Sequence, residues 1–184
     1  MSTQRPGKVV IGATLKMIRA GKRDELVLDE LRRDDLDSLG WSGSPAHLRA
    51  VERALSRVAN GEVEYLVIRA PTGEPVAKVG IDYAAHTNAG TFWQFATHPR
   101  LQGMGLGTRL LVEGERRIRR RGWRWAVLGV DDDNPRARAL YERLGYAAWQ
   151  RERASWQHED DFGQLSVYET ELTLLRKELC TQPQ

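Results

Sequence analysis

Residues 97–108 combine the end of a strand, alternating glycines and the start of an amphipathic helix. The run reads Thr-His-Pro-Arg-Leu-Gln-Gly-Met-Gly-Leu-Gly-Thr. Glycine tolerates positive φ and close backbone approach, so successive amide N–H groups can converge on an anion at the helix N-terminus. The run therefore predicts a phosphate-binding loop. The alternative is a turn that only reverses the chain, because the spacing matches neither a P-loop nor a dinucleotide fingerprint.

A second segment, residues 131–146, carries the signals of a well-defined helix. Asn134 is expected as its N-cap and Pro135 as its first helical residue, and Gly145 is expected just beyond its end. Tyr141 lies two turns beyond the cap. It belongs to an apolar stripe with Ala137, Leu140 and Leu144, and that pattern alone favours a core residue over a catalytic one.

Taken together, the two segments resemble the GNAT superfamily of N-acetyltransferases. Residues 102–107 are similar to its Gln/Arg-x-x-Gly-x-Gly/Ala cofactor motif, and residues 134–146 have its frame Asn-x-x-Ala-x-x-Leu-Tyr-x-x-x-Gly-Tyr. One helix and one strand separate the two motifs, as in the family, and the resemblance covers roughly residues 26–174. It implies an enzyme that transfers an acetyl group from acetyl-CoA to a primary amine by direct attack in a ternary complex.

The resemblance also implies roles for individual residues. The backbone of Phe95, Ala96 and Thr97, on a strand that splays from its neighbour, would pair with the pantetheine arm of CoA, and an N–H near Ala96 would stabilise the oxyanion. Asn134 would lie beside that arm. Tyr141 would lie near the sulfur, where its phenol could protonate the leaving thiolate. Backbone amides would hold the pyrophosphate, from Gln102, Gly103, Met104, Gly105, Leu106, Gly107 and Thr108.

The proton acceptor of such a reaction is not evident. Many members of the superfamily place a glutamate on the fourth strand, whereas residues 91–97 here read Thr-Phe-Trp-Gln-Phe-Ala-Thr. Gln94 can orient a water or the substrate, but it cannot usefully accept a proton at pH 7. Asp82 and His86, near the end of the preceding strand, are candidates, although both residue types are more often surface residues. Alternatively, a chain of water molecules accepts the proton, or the amine binds already in its neutral form.

The acceptor pocket of the family is built from the first two helices, the third and fourth strands, and the loop before the last strand. Here those segments supply aromatic residues beside acids, which suits a cationic amine through cation–π contact and charge attraction. An acidic loop that is merely solvated is an equal alternative. We expect a small amine or a peptide amine as the acceptor. The residues are Trp41, Tyr83, Trp93, Trp156, Glu159, Asp160 and Asp161.

The order of predicted elements is strand, two helices, three strands, helix, strand, helix and two strands, which suits a mixed sheet with helices on its faces. With the resemblance, it implies an α/β (α+β) fold. Its mostly antiparallel sheet would have six to seven strands, about four flanking helices and a splayed fourth and fifth strand. Asp34 is expected as the N-cap of the first helix.

We expect a loosely held extension in residues 1–24, one acetyltransferase domain in residues 25–175 and a tail in residues 176–184. The C-terminal strand, residues 165–174, is a candidate edge of the sheet. Pairing or covering such an edge with a second copy of the chain would give a homodimer.

Composition bounds the remaining possibilities. The 184 residues include one cysteine, Cys180, so neither a disulfide framework nor a cysteine metal cluster is expected. No apolar run is long enough for a membrane span, and residues 1–7 lack the apolar core of a signal peptide. We therefore expect a cytoplasmic protein with no metal and no membrane partner.

Two other classes of function stay open at this point. One is a non-catalytic acyl-CoA-binding sensor that keeps the phosphate loop and lacks acceptor chemistry. The other is a nucleic-acid-binding module, suggested by a net charge of +3 and a cluster of arginines. A solvated helix end whose cations suit the helix dipole is the better explanation of the same cluster, so we expect no nucleic-acid partner. Its members are Arg116, Arg117, Arg119, Arg120, Arg121 and Arg124.

Overall fold

The computed structural model describes Met17, residues 25–159 and residues 163–179, except for the side chains of residues 156–158 and 168. Seven strands form one sheet: β1 Val27–Glu30, β2 Val63–Arg69, β3 Pro75–Asp82, β4 Ala89–Thr97, β5 Trp125–Asp131, β6 Ala147–Glu159 and β7 Leu165–Glu178. The α-helices of the described residues are α1 Pro45–Ser56, α2 Leu106–Arg120 and α3 Pro135–Arg143. Short 3-10 helices cover Arg33–Ser38, Gly40–Ser42 and Pro99–Leu101.

The strand order is β1-β2-β3-β4-β5-β7-β6, and every neighbouring pair is antiparallel except β4 and β5, which are parallel. This arrangement confirms the mixed, mostly antiparallel sheet. The prediction that the C-terminal strand forms an edge holds only for its first half, because further along β7 inserts between β5 and β6 and leaves β6 outermost. Leu172–Glu178 of β7 pair with β5, whereas the first half of β7 pairs only with β6 and extends beyond the sheet as a two-stranded ribbon.

The last strand also runs further than expected. It ends at Glu178 instead of Leu174, and Leu179 after it is buried in the core. The expected domain limits nevertheless stay a prediction. The N-terminal extension, apart from Met17, lies outside the described residues, as do Asp160, Asp161 and Cys180.

The helices begin where side-chain or backbone signals place them. Asn134 caps α3 by accepting a hydrogen bond from the N–H of Ala137 at 3.1 Å, and Pro135 follows as the first helical residue. The first predicted helix is instead the 3-10 helix Arg33–Ser38, whose N-cap is Arg32 and not Asp34. The reason is that Asp35 accepts the N–H of Arg32 and also binds the buried guanidinium of Arg69, which fixes a tighter turn.

Two apolar layers enclose the sheet. The larger core cluster lies where α2 packs on β3 and β4, and it includes Ile81, Phe92, Leu110 and Ile118. Side chains of α3, among them Tyr141, pack against this cluster. The smaller cluster packs residues of β2 and the 3-10 segment against α1; it contains Leu39, Val51, Ala54, Val63, Tyr65 and Val67, with Trp41 and Trp93 at its border.

No described helix is both long and apolar enough to cross a membrane. Among the described residues there is also no group of three or more His, Cys, Asp or Glu side chains arranged to hold a metal ion.

Candidate active site

The parallel strands β4 and β5 diverge halfway along β4. Their register joins Ala89–Phe92 to Trp125–Leu128 and ends there. The strand β4 then contains a bulge, because Lys78 of β3 pairs with Ala96 while Gly80 pairs with Trp93. At this bulge Gln94 adopts a φ of 48°. Beyond it, residues 95–97 have β3 on one side and, in the described register, no strand on the other. That free edge can take an extended ligand as an additional strand.

The glycine-rich loop follows directly after this free edge. Gly105 has a φ of 81° and is the N-cap of α2. The first N–H groups of the helix, from Leu106, Gly107 and Thr108, have no partners within the helix and point out of its N-terminus. A Cβ added at Gly105 would meet no atom within 4 Å, so open space lies against the loop. Converging donors beside open space fit an anionic group such as the pyrophosphate of CoA.

Close packing fixes the loop to the strand. A Cβ added at Gly107 would lie 3.0 Å from the ring of Phe95, so glycine lets α2 approach β4. Gln102 reaches back with its Nε2 to the carbonyl of Thr97 at 3.5 Å. The side chains of Met104 and Leu106 pack into the core, which leaves their backbones to face a ligand. The structure therefore brings together the two predicted cofactor-binding runs, residues 95–97 and 102–108.

Helix α3 supplies the other two predicted site residues. Tyr141 is partly buried against the larger core cluster, with its ring at 6.2 Å from that of Tyr146. Burial raises the pKa of the Tyr141 phenol, so the hydroxyl stays protonated at neutral pH and can donate a proton. Asn134 uses its Oδ1 in the helix cap, which leaves its side-chain N–H groups to bind a ligand.

Arg136 is a candidate ligand of the phosphates that the sequence analysis missed. A Cβ added at Gly103, in the loop, would lie 3.7 Å from Nη2 of Arg136, so this guanidinium lies beside the loop. Its position in the first turn of α3 was a usable signal. A cation there opposes the helix dipole, and an anionic ligand nearby would compensate for that.

Neither candidate base is placed well for catalysis. Both carboxylate oxygens of Asp82 bind Arg57, at 2.7 and 3.2 Å, and Oδ1 also accepts the N–H of Ala84. His86 has its Nδ1 3.0 Å from Oγ1 of Thr91, in the part of β4 that is still paired with β5. Both side chains have structural partners outside the splayed region.

Lys78 is a second residue that the sequence analysis missed. It lies on β3 opposite Ala96, and its side chain is fully buried, with 0% exposure. Its Nζ lies 3.0 Å from Oη of Tyr65, 3.0 Å from the carbonyl oxygen of Gln94 and 3.1 Å from Nε2 of His47. Burial lowers the pKa of Lys78 to about 7. Burial, together with the charge of Lys78, lowers the pKa of His47 to about 4.

The predicted acceptor residues divide into two groups. Trp41 lies against His98, with ring centroids 5.5 Å apart, and Trp93 lies against Tyr65 at 6.4 Å. Within the described part of the chain, both buried indole N–H groups lack a hydrogen-bond partner, so they can donate to a ligand or a water. Tyr83 belongs elsewhere, because its hydroxyl donates to Glu64 and its ring meets that of Trp123 edge to face, with centroids 5.0 Å apart.

The acidic loop is represented among the described residues by Glu159. Its carboxylate forms a 2.6 Å ion pair with Arg49 of α1, which ties the ribbon of β6 and β7 to that helix. Trp156 lies on β6, but its side chain is outside the described atoms.

The arginine cluster is largely neutralised by acids. Ion pairs join Arg117 to Glu30, Glu64 and Glu113. Others are Arg116–Glu113, Arg119–Glu115, Arg121–Glu64 and Arg124–Glu178. This pairing favours a solvated, ion-paired helix end over a phosphate-binding surface.

Comparison with known proteins agrees with this geometry. Mycothiol acetyltransferases from Arthrobacter sp. (strain FB24) and Nocardiopsis dassonvillei are 38% and 41% identical over 72 and 80 residues, or 39% and 42% of this chain. The chain spans only about a fifth of their length, 22% and 19% respectively. The fold matches that of spermidine N-acetyltransferase from Vibrio cholerae, solved with CoA and spermine. Its TM-score is 0.62 at 16% identity, covering 85% of this chain and 96% of the other.

The model of the Acetyltransferase (GNAT) family matches residues 28–146, a range that runs from β1 through the splayed strands and the glycine-rich loop to the end of α3. The chain belongs to the Acetyltransferase (GNAT) family.

Proposed function

We propose that this protein transfers an acetyl group from acetyl-CoA to a primary amine by direct attack in a ternary complex. The observation that carries the proposal is the free edge of β4 after the bulge at Gln94, directly followed by the open glycine-rich loop at the start of α2. An extended arm attached to a pyrophosphate fits the edge and the loop at once, which few other ligands do.

The residues around this site match what the reaction requires. Acetyl-CoA, when bound, supplies the acetyl group and a thiolate leaving group. The backbone edge at residues 95–97 would align its arm, and an N–H near Ala96 would donate to the developing oxyanion. The protonated phenol of Tyr141 would give its proton to the thiolate. Gln102, Gly103, Met104, Gly105, Leu106, Gly107 and Thr108 would hold the pyrophosphate through their backbones, with Arg136 beside them.

For the acceptor, we propose a small amine or a peptide amine. Two kinds of similarity support it. The curated relatives are named as mycothiol acetyltransferases, and the solved neighbour contains spermine. The aromatic side chains of Trp41 and Trp93 offer cation–π surfaces near the splayed strands. A homodimer also stays a prediction, and a second copy could cover β6 or the free edge of residues 165–171 in β7.

The first experiment is calorimetric titration of acetyl-CoA, alongside S-acetylpantetheine, which lacks the pyrophosphate. We expect binding of acetyl-CoA that weakens strongly with the truncated analogue. Gly105→Ala should weaken binding about tenfold, because the new methyl group enters the space expected for the phosphates. Gly122→Ala is the matched control: Gly122 has a φ of 76° and equally open surroundings, at the far end of α2. Equal losses in both variants would point to backbone strain instead of a lost phosphate contact.

The second experiment is a screen of primary amines, including spermidine and a peptide with a free N-terminus, for release of CoA thiol. Tyr141→Phe should retain acetyl-CoA binding and lose turnover by about a hundredfold or more, the usual effect of removing a general acid. Binding of acetyl-CoA without turnover of any amine would favour the non-catalytic sensor. Absence of acetyl-CoA binding would exclude both functions.

A further inference from the structure

Among the described residues, Lys78 of β3 is a buried amine without a counter-ion, and it pairs with the part of β4 that has left β5. No salt bridge joins it to a carboxylate of the described residues, and its three polar contacts are a phenol, a backbone carbonyl and an imidazole. Removing an unpaired ammonium from water is costly, so a fold keeps such a group only where its neighbours compensate or where it can shed its charge.

The position of Lys78 links it to the splayed strand. It pairs with Ala96 across the ladder, and it binds the carbonyl of Gln94 within the bulge. Tyr65 binds the same glutamine, donating its hydroxyl to Oε1 at 2.9 Å. The amine is therefore attached to the segment on which the transfer reaction is proposed to take place.

The hydrogen bonds of Lys78 can be satisfied in both of its protonation states. As an ammonium it donates three times, to Tyr65, to Gln94 and to the lone pair on Nε2 of His47. As a neutral amine it donates to the first two and accepts a hydrogen bond from His47, whose proton then lies on Nε2. Changing state thus exchanges the two neutral tautomers of His47 and breaks no contact.

His47 connects the buried amine to the outside. It lies in the first turn of α1, where its N–H is held by the capping hydroxyl of Ser44, and its ring is only partly buried. A proton that arrives at Nδ1 can be matched by one that leaves Nε2 for Lys78. The groups facing the pair from β2 and β4, Tyr65 and Gln94, carry no charge, since burial raises the pKa of the Tyr65 phenol far above neutrality.

We propose that His47 and Lys78 form a proton relay that takes the proton of the acceptor ammonium, a role for which β4 offers no carboxylate. The ammonium gives a proton to Nδ1 of His47, directly or through a water, while the Nε2 proton passes to neutral Lys78. The amine then attacks the thioester carbonyl, the C–N bond forms, the C–S bond breaks, and its electron pair leaves on sulfur. Tyr141 protonates the leaving thiolate and recovers a proton from the second N–H of the amine, and Lys78 later returns its proton to solvent by the same route.

This relay rests on the proposed acetyl transfer, but its chemistry can be measured without an acceptor. The chain contains five lysines and four histidines, so NMR spectra of protein labelled at lysine Cε and at the histidine ring nitrogens are simple. Lys78→Met and His47→Gln assign the two signals. We expect the Lys78 signal to titrate near neutral pH, and the ring nitrogens of His47 to exchange tautomers at the same midpoint. In Lys78→Met, the tautomer of His47 should no longer depend on pH.

Kinetics then connect the relay to the reaction, using the fastest amine of the screen. At pH 7, Lys78→Met should lower kcat by about a hundredfold and leave the KM for acetyl-CoA unchanged, as loss of a general base does. The difference in kcat between Lys78→Met and the wild type should become smaller at higher pH, because the acceptor amine is then neutral without help from the enzyme. Two results would overturn the relay. One is a tautomer of His47 that does not change when Lys78 titrates, and the other is a Lys78→Met rate with the same pH profile as the wild type. Failure of acetyl-CoA to bind would instead reject the proposed function. Because the NMR titration needs neither cofactor nor acceptor, it distinguishes failure of the relay from failure of the proposed function.

Discussion

Replacing Lys78 by methionine tests whether the fold holds this side chain as a neutral amine. Methionine has a similar length and no charge, so it fills the same space while removing the titrating group. Because burial lowers the pKa of Lys78 from 10.5 to about 7, the unfolded chain binds one more proton than the folded chain between these values. Stability of the wild type therefore rises with pH across this window and falls as the pH drops toward 7.

The size of this effect follows from linkage. One pKa unit corresponds to about 1.4 kcal/mol, so between pH 7 and pH 9.5 Lys78 should add about 3 kcal/mol to the free energy of unfolding. In Lys78→Met this contribution is absent at every pH. Methionine also leaves the carbonyl of Gln94 and the ring of His47 without a partner, at a cost of about 1–3 kcal/mol each. That cost does not vary over this pH range, so it cannot produce the expected change of the stability difference with pH.

The assay is urea unfolding of both proteins at half-unit steps from pH 6.5 to 9.5, at constant ionic strength. The difference in free energy of unfolding between Lys78→Met and the wild type should move by about 3 kcal/mol in favour of the wild type as the pH rises. Lys78→Arg is the matched comparison: it keeps a charge at all of these pH values, so it should lack the slope and be less stable throughout. A stability difference that is flat with pH would refute the assignment of a neutral lysine.

Three further outcomes follow from other contacts. Arg69→Ala should lower the free energy of unfolding by about 3–5 kcal/mol in thermal or urea melts, because it leaves the carboxylates of Asp29 and Asp35 without their buried partner. Arg136→Ala should weaken acetyl-CoA binding roughly threefold to tenfold and flatten its salt dependence in calorimetry, while leaving the melting temperature nearly unchanged. The protein should pass through immobilised DNA at physiological salt, and salt-dependent retention would contradict the ion-paired view of Arg117 and its neighbours.

The parts of the fold with strong local signals were predictable from the sequence. The cap at Asn134, the proline after it and the glycines of residues 103–107 each act within a few residues, so their types alone place α3 and the start of α2. The two cofactor-binding runs were also predicted, and the structure brings them together. Whether they bind CoA stays a prediction.

Other features of the fold depend on contacts between residues that are far apart in the sequence, and local signals do not predict them. The edge of the sheet was predicted only in part, because strand order depends on whether β7 pairs with β5, a contact between residues 41 to 53 positions apart that no residue pattern records. The 3-10 helix Arg33–Ser38 likewise depends on Arg69, which holds Asp35 from the neighbouring strand.

Lys78 was missed for a related reason. In Val76-Ala77-Lys78-Val79, a charged residue within an apolar strand usually marks the solvent-facing side. Here that side is covered by α1, which places His47 against the amine, and the bulge at Gln94 turns a carbonyl toward it. The position was visible only as an unusual lysine in an otherwise apolar strand.

The same bulge ties together the two halves of the proposed chemistry. It frees the backbone edge of residues 95–97 for the pantetheine arm, and it places the carbonyl of Gln94 where Lys78 can bind it. A strand without the bulge would lack the bend that follows the last β4–β5 pair, and the carbonyl of Gln94 would no longer point at Lys78. Since a glutamine at a φ of 48° is strained, the contacts from Tyr65 and Lys78 to its side chain and carbonyl help to hold that conformation. We therefore infer that proton transfer and cofactor alignment depend on one local distortion of β4.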